Sequence, residues 1–228
     1  MTERTLNRTG PGRGVTFPKR DASGFARELK QRVAEYFEAR GGRTKGDWRM
    51  VLKTVTLFGS LFGAYALMLT GWFSPVGMLG LTVVMGVGMA GIGFAVSHDA
   101  LHGAYAERAW VNRIMGYSFD ILGANGYMWK RTHNVVHHTY TNIQGVDGDL
   151  EVSPYLRLSP KSAYRPIHRY QHYYALAAYS LSTLVWVLLK DYKYFLRGEN
   201  GPYTGKKSPP VEVATLIIGK LLYYGWAI

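Results

Sequence analysis

The sequence predicts an all-α integral membrane protein, in which transmembrane helical hairpins support a cytoplasmic helical cap that carries histidines. Three observations lead to this class: a long uncharged apolar run, a concentration of positive charge before it, and closely spaced histidines after it. The chain has 228 residues, a length that suits one domain, and all seven of its histidines follow the apolar run.

The apolar run extends over residues 54–97 and contains no Asp, Glu, Lys or Arg. One helical crossing of a bilayer requires about 20 apolar residues, so this run accommodates two crossings. Gly71 and Pro75 predict a turn between them, which gives a first span near residues 53–73 and a second near residues 75–97. Small residues spaced four apart predict that another helix approaches the second span closely: Gly86/Ala90 and Gly91/Ala95.

Two further apolar segments follow. A third span is predicted over residues 173–189, and a fourth apolar stretch begins at Val211 but is interrupted by Lys220. The connection between them is basic, which conflicts with a location outside the cytoplasm. Either positive charge is tolerated in this connection, or the two segments are partly interfacial.

Much of the net charge of +12 derives from the residues that precede the apolar run. The positive-inside rule places that end in the cytoplasm, and two spans return the histidines to the same side. We therefore predict a multi-pass protein with a basic cytoplasmic segment over residues 1–48 and a membrane domain over residues 49–228. An amphipathic helix is expected in the first segment, lying on the membrane surface or packing on the rest of the protein, because apolar residues recur at every fourth position: Phe25, Leu29, Val33 and Phe37.

Composition excludes several kinds of chemistry. The chain has no cysteine, so it contains no disulfide, no thiolate metal ligand and no thiol nucleophile. A basic chain also suits nucleic-acid binding, but that interpretation leaves the uncharged run unexplained. We therefore expect membrane lipid, and no nucleic acid, as a partner.

The histidines form two groups whose spacing predicts a metal site. The first group is His98 and His102, and the second is His133, His137 and His138. Side chains four residues apart lie on one face of an α-helix, so two imidazoles there can bind one ion. His138 is expected to point elsewhere on its helix, where it could serve a second ion. Imidazole suits Zn, Fe, Cu and Ni.

Other interpretations of the histidines are weaker. A metalloprotease would carry Glu directly after the first histidine of H-E-x-x-H, where this chain has Asp99 and Asn134. His168 and His172 are also four apart, at the entrance to the third span. Chance, a cap on the span and a supplementary metal ligand all remain open for this pair, with His172 favoured as the ligand.

At these residues the chain resembles the membrane-bound fatty-acid desaturases, especially the branch of linoleoyl-CoA and front-end acyl desaturases. Residues 98–102, H-D-A-L-H, are similar to the first histidine box of that branch. Residues 130–142, K-R-T-H-N-V-V-H-H-T-Y-T-N, contain the second histidine box at residues 133–138, and an acidic stretch follows over residues 145–151. The similarity is strong over residues 97–151 and weak elsewhere.

This resemblance implies a centre of two non-haem iron ions that uses O2 to remove two hydrogens from an acyl group. That group would be carried as an acyl-lipid or acyl-CoA. A C–H bond in the middle of a saturated acyl group has no acidity, so its oxidation requires metal–oxygen chemistry rather than acid–base catalysis. The implied metal ligands are the residues of the two histidine boxes, supplemented from the third pair: His98, His102, His133, His137 and His138, with His172 as the supplement.

Further residues are expected to support the site. Carboxylates and amides near the boxes could hold the ligating imidazoles: Asp99, Asn134, Asn142, Asp147 and Asp149. For Asp147 and Asp149 a solvated turn is the alternative. Lys130 and Arg131 could contact a phosphate of CoA or phospholipid, or simply anchor the protein at the headgroups.

The chain also departs from the family pattern. Family members carry a third box of the Q-x-x-H-H type, which does not occur in these 228 residues. We therefore expect a C-terminally truncated protein with an incomplete set of iron ligands, inactive as given. No fused cytochrome b5 domain is present, so electrons are expected from an external ferredoxin or cytochrome b5 type donor with its reductase.

Two alternatives come from different classes. A related histidine-box enzyme, namely a lipid hydroxylase, an alkane hydroxylase or a carotenoid ketolase, would insert oxygen instead of removing hydrogen. The H-D-x-x-H box and the Gly-Val-Asp-Gly-Asp run favour desaturation. A non-catalytic membrane fragment, or a subunit completed by another polypeptide, is the alternative outside enzymes.

Overall fold

A computed structural model describes residues 15, 17, 23–150, 153–197, 199–200, 203–204 and 208–227. These residues are mostly helical, and their one sheet is a two-stranded antiparallel ribbon of Glu199–Asn200 (β1) and Tyr203–Thr204 (β2). The prediction of an all-α fold is confirmed. The chain forms two compact units that divide between Ser118 and Phe119. The predicted division at residue 48 stays a prediction.

The first unit is a series of helices with two long members. It contains α1 Phe25–Glu38, α2 Trp48–Leu69, α3 Pro75–Ile92, a π-helical segment Gly93–Ser97, α4 His98–Leu101 and α5 Ala109–Gly116. The carboxylate of Asp47 caps α2 by accepting a hydrogen bond from the backbone N–H of Arg49 at 2.9 Å. Ser74 caps α3 in the same way, and Pro75 occupies its first turn.

Helices α2 and α3 form the predicted hairpin. By length and composition, Trp48–Leu69 and Pro75–Leu101 are apolar enough to cross a membrane. The first of these helices begins five residues before the predicted span, because the cap at Asp47 starts the helix ahead of the uncharged run. The second continues through the π-helical segment and so carries the first histidine box at its end.

Helices α2 and α3 approach each other closely at small residues. Of the two predicted glycines, Gly91 lies at this contact and Gly86 does not. A Cβ atom on Gly88 would lie 3.0 Å from Oγ of Ser60 and 3.1 Å from the backbone N of Leu61. One on Gly91 would lie 2.4 Å from Cδ2 of Leu57, as the predicted pairing requires. Gly86 has no such neighbour within 4 Å, so the prediction for that glycine is wrong. A four-residue spacing places small residues on one face of a helix, but it does not show which face contacts the neighbouring helix.

Helix α1 is amphipathic as predicted, and none of its residues is buried. Phe25 is 67 % exposed, Leu29 48 % and Val33 47 %. The described part of the first unit therefore leaves this apolar stripe uncovered. Whether the stripe meets lipid stays a prediction.

The second unit consists of shorter helices. It contains the greater part of α6 Ser118–Ile121, then α7 Gly126–Trp129, the π-helix Lys130–His137, α8 His138–Tyr140, 3-10 turns at Gly148–Leu150 and Pro166–Tyr170, α9 Gln171–Ser180, α10 Ser182–Val185, a π-helical segment Trp186–Lys190, α11 Asp191–Arg197 and α12 Pro210–Ala227.

The third predicted span falls in a bent helix pair. Pro166–Ser180 and Ser182–Leu196 meet at an angle of 55° and qualify as a crossing only if the pair is one span. Helix α12 contains the fourth apolar stretch, but among the described residues it is not one of the helices apolar enough to cross. Its central residue, Lys220, is buried.

Candidate metal centre

The first histidine box lies in the first unit, directly after the π-helical segment Gly93–Ser97. The rings of His98 and His102 have centroids 4.5 Å apart, so the two imidazoles are neighbours as the spacing predicts. π-helical insertions are uncommon and occur frequently at functional sites. The local geometry therefore offers two adjacent nitrogen donors at the end of a long apolar helix.

Asp99 lies between one of these histidines and a lysine. Its Oδ1 is 3.3 Å from Nδ1 of His98, and its Oδ2 is 3.7 Å from Nζ of Lys53. The carboxylate is part-exposed, so the pair with Lys53 adds little to stability. Asp99 is nevertheless placed to orient the ring of His98, which is the role expected for it.

The second histidine box lies in the second unit, on the π-helix Lys130–His137 and the first residue of α8. The rings of His133 and His137 stack with centroids 5.0 Å apart and 18° between planes. His138 is also close, with its ring centroid 4.7 Å from that of His133. His138 is exposed, its ring stands at 87° to that of His133, and it is not part of the group of possible metal ligands around His133 and His137, so its role at a second ion stays a prediction.

Asp147 fixes the orientation of His137. Its carboxylate oxygens lie 3.0 and 3.1 Å from Nδ1 of His137, and Asp147 is 1 % exposed. The backbone N–H groups of Asn142 and Asp149 also donate to this carboxylate, at 2.9 and 3.1 Å. Burial by itself would raise the pKa of Asp147, but these hydrogen bonds and His137 together hold its pKa below the usual value.

An ionised carboxylate only accepts hydrogen bonds, so Nδ1 of His137 must carry the proton. The lone pair of Nε2 is then left for a metal ion, the arrangement typical of metal-bound histidines. Asp147 is one of the partners that the sequence predicts. Asn142 contributes by its backbone rather than by its side chain: its φ of +63° turns the backbone so that its N–H points at Asp147. Asn134 lies next to His133 on the π-helix, and its supporting role stays a prediction.

Three side chains of the second unit could hold one metal ion. Ligand atoms of His133, His137 and Asp149 all lie within 4.8 Å of one another. Two imidazoles with one carboxylate suit iron and several other transition metals, so the residues fit the group that the resemblance implies. Oδ1 of Asp149 lies 4.0 Å from Nζ of Lys190, and its Oδ2 lies 3.4 Å from Nδ1 of His137.

His168 and His172 differ in what their rings contact. Nδ1 of His168 accepts the backbone N–H of Arg165 at 3.0 Å, and its Nε2–H donates to the carbonyl of Pro154 at 3.1 Å. Both nitrogens are used, which makes His168 an anchor of the 153–165 loop rather than a ligand. His172 is exposed and packs on Tyr173, with ring centroids 3.9 Å apart. It is not part of the group formed by His133, His137 and Asp149, and its ligand role stays a prediction.

Trp129 is a site residue that sequence reasoning missed. Only 8 % of Trp129 is exposed. Its indole stacks on the ring of His133 with centroids 4.3 Å apart, and the ring of Phe119 packs edge-on against it at 5.8 Å. The four-residue spacing between Trp129 and His133 was the available signal.

The two basic residues before the second box have different surroundings. Lys130 is exposed, whereas Arg131 is half-buried with its guanidinium 5.8 Å from the centre of the Tyr127 ring. Nη1 of Arg131 is buried and has no hydrogen-bond partner among the described residues. A buried charged donor without an acceptor is costly, so this N–H group suits an anionic oxygen brought by a ligand.

A helical fold with two candidate membrane crossings and histidine groups that could bind a metal defines a membrane-type, histidine-ligated metalloprotein. Comparison with known families identifies which one. Residues 70–227 match the family described as fatty acid desaturase. The chain belongs to the fatty acid desaturase family, and the resemblance seen in the histidine boxes is confirmed.

Curated relatives are similar over nearly all of the sequence. The chain is 33 % identical to the sn-1 linoleoyl-lipid 6-desaturase of Arthrospira platensis over 210 residues, which are 90 % of this chain and 55 % of that protein. It is 36 % identical to the Synechocystis protein of the same name over 207 residues, 89 % of this chain and 56 % of that one. The acyl-lipid (8-3)-desaturase of Physcomitrium patens is 33 % identical over 200 residues, which are 86 % of this chain and 41 % of that protein.

The chain thus spans about half the length of the curated relatives that it matches. No solved structure matches it.

Proposed function

We propose that this chain is part of an O2-dependent desaturase that introduces a double bond into the acyl group of a lipid. Membership of the family supports this function, as do relatives named acyl-lipid desaturases at 33–36 % identity. The observation that carries the proposal is the pair of His137 and Asp147, since a buried carboxylate that fixes the tautomer of a histidine prepares its other nitrogen for a metal.

The cofactor is two non-haem iron ions, with O2 as co-substrate. The proposed ligands are the residues of the two boxes, namely His98, His102, His133, His137 and His138, supplemented by His172. Bound iron supplies the oxidation of an unactivated C–H bond by O2, which side chains alone do not perform.

The protein groups orient this cofactor. Asp147 holds Nδ1 of His137, and Asp99 is placed to hold His98. Trp129 covers one face of His133, which restricts both the rotation of the ring and the access of water. These contacts would keep the nitrogen donors in place through successive turnovers.

The substrate is an acyl-lipid or an acyl-CoA that reaches the protein from the bilayer. Arg131, with its unpartnered buried N–H group, and the exposed Lys130 are proposed to bind the anionic part of its headgroup. Electrons would come from an external donor of the ferredoxin or cytochrome b5 type with its reductase.

The protein is proposed to be a multi-pass membrane protein with the N-terminus and both histidine boxes in the cytoplasm. The two candidate crossings and the basic segment before them support this orientation. Residues 1–48 would form the cytoplasmic segment and residues 49–228 the membrane domain.

A chimera tests the activity. This chain replaces the matching segment of the Synechocystis relative, and the fatty acids of a host that contains linoleoyl lipids are analysed by mass spectrometry. We expect a product that has lost two hydrogens, and its disappearance in the chimera with His133→Ala and His137→Ala. A product that has gained oxygen would instead support the related hydroxylases, and an iron-loaded chimera without product would support a non-catalytic role.

A further inference from the structure

Lys220 lies in the middle of the apolar helix α12, yet only 4 % of it is exposed. Its Nζ donates to three acceptors: the carbonyl of Gly123 at 2.6 Å, the carbonyl of Val187 at 2.7 Å and Oδ2 of Asp191 at 2.8 Å. An ammonium group has three N–H donors, so all of its hydrogen-bonding capacity is used. This one residue joins α12 to two segments that are distant from it in sequence.

Asp191 is as deeply buried as its partner, at 2 % exposure. Its second oxygen, Oδ1, accepts the indole N–H of Trp186 at 3.2 Å. The free energy lost when two charges leave water cancels most of the free energy gained from their attraction. A pair of apolar side chains of similar volume often stabilises a protein equally well. The pair is therefore better explained by the geometry that it imposes than by the stability that it adds.

The contact with Gly123 leads directly to the second histidine box. Gly123 lies in the turn that connects α6 to α7, and Asn125 in the same turn caps α7 by accepting the backbone N–H of Met128 at 2.9 Å. Nδ2 of Asn125 also donates to the carboxylate of Asp120 at 3.1 Å. Helix α7 then continues without a break into the π-helix that carries His133 and His137.

Helix α12 also contacts α6 and this turn through other residues, among them Trp226, whose indole N–H donates to the carbonyl of Ile121 at 3.1 Å. The ring of Tyr223 lies so close to Gly123 that a Cβ there would be 2.7 Å from Cδ1 of the ring, and the φ of Gly123 is +82°. A Cβ on Gly219 would lie 3.1 Å from Cβ of Asp120. Positions 220 and 223 of α12 therefore contact the turn at Gly123, and position 219 lies against α6 just before it.

We propose that Lys220 is a positioning residue of the metal centre, which fixes the start of the second histidine box by tying the turn at Gly123 to α12 and Asp191. This inference rests on the proposed metal site, although the placement of the box can be measured without metal. On this proposal, α12 supports the start of the second histidine box, although in the sequence it is an apolar segment interrupted by Lys220.

The test uses the full 228-residue protein in mild detergent with Co²⁺ as the probe. Lys220→Met alone would leave Asp191 buried and unpaired and could unfold the protein, so the informative variant is Lys220→Met with Asp191→Asn. Lys193→Met, which removes an exposed lysine of α11, is the matched control. Thermal unfolding shows that each variant is folded.

Two readouts are compared. We expect the double variant to bind Co²⁺ about tenfold more weakly with an altered visible spectrum, as for loss of a group that orients metal ligands. We also expect faster hydrogen exchange over residues 126–137 in the metal-free protein, and no change over α2. The Lys193→Met control should match the parent in both Co²⁺ binding and hydrogen exchange.

The outcomes separate the two ideas. The positioning role is overturned if the double variant is folded and its hydrogen exchange over residues 126–137 is unchanged. This holds whether or not its Co²⁺ binding differs from that of the parent. Failure of the parent protein to bind Co²⁺ would count against the proposed metal site, while the exchange measurement would still decide the role of Lys220.

Discussion

The carboxylate of Asp147 accepts a hydrogen bond from Nδ1 of His137 at 3.0 Å, and this bond leaves Nε2 of the same ring for a metal ion. The carboxylate is itself held by two backbone N–H groups, from Asn142 and Asp149. A loop that follows the second box thus folds back to orient one of its histidines.

Asp147→Asn should weaken metal binding. The amide can no longer serve as a pure acceptor, so both the tautomer and the basicity of His137 change, and we expect metal affinity to fall about 10- to 100-fold. Titration with Co²⁺ measures this. The control Glu107→Gln, at an exposed acid outside both boxes, should bind like the parent. Equal affinities in all three proteins would mean that Asp147 does not support a ligand.

Asp120 should make stability depend on pH. Burial, with a smaller contribution from the charge of Asp191, raises the pKa of Asp120 to about 7 from 3.8. The folded state then binds this proton more tightly than the unfolded state, so the stabilisation is complete at low pH. It is lost as the pH rises from about 4 to about 7.

Asp120→Asn should remove this dependence. Thermal unfolding midpoints of the parent and the variant are compared at about pH 5 and about pH 8, where the carboxyl is respectively protonated and ionised. We expect the variant to lose less stability than the parent between these conditions. The other ionisable groups are the same in both proteins, so the difference between the two pH profiles isolates the contribution of Asp120. Parallel pH profiles would show that Asp120 titrates in its ordinary range.

The hairpin of α2 and α3 should tolerate a methyl group at one glycine and not at another. Gly88→Ala places a Cβ against Ser60 and the backbone of Leu61, whereas Gly86→Ala meets open space. Overpacking of this kind costs about 1–3 kcal/mol, so the first variant should unfold at a lower temperature and the second should resemble the parent. The two glycines lie on one helix, which controls for helix propensity. Equal effects would contradict the packing described for this hairpin.

His168→Ala should destabilise the protein without reducing its metal content. The variant loses the hydrogen bonds to Arg165 and Pro154, each worth about 1 kcal/mol. We expect a lower unfolding midpoint and unchanged iron by elemental analysis. Loss of iron in a folded variant would instead make His168 a ligand.

Some of this architecture follows from local sequence and some does not. The length of the uncharged run and its central turn predicted the hairpin. The four-residue spacing predicted the neighbours His98/His102 and His133/His137, because these contacts lie within one helix. The switch from α- to π-helix over residues 130–137 was not predicted, since the spacing of the histidines suits either helix.

Long-range contacts were beyond the sequence pattern. Lys220 looked like an interruption of an apolar span, since its partners Asp191 and Gly123 are 29 and 97 residues away. A tryptophan suits a membrane interface as well as a protein core, and Trp129 is buried against His133 and Phe119. In both cases the residue type was compatible with two environments, and only the tertiary structure decided between them.

The most direct test of the central claim is the metal content of the protein purified in mild detergent. Although these 228 residues are expected to lack part of the full set of iron ligands, the account predicts that the second histidine box binds iron, that the variant with His133→Ala and His137→Ala loses it, and that His168→Ala retains it. Equal iron in the parent and in the variant without His133 and His137, or none in either, would contradict a metal centre at the second histidine box.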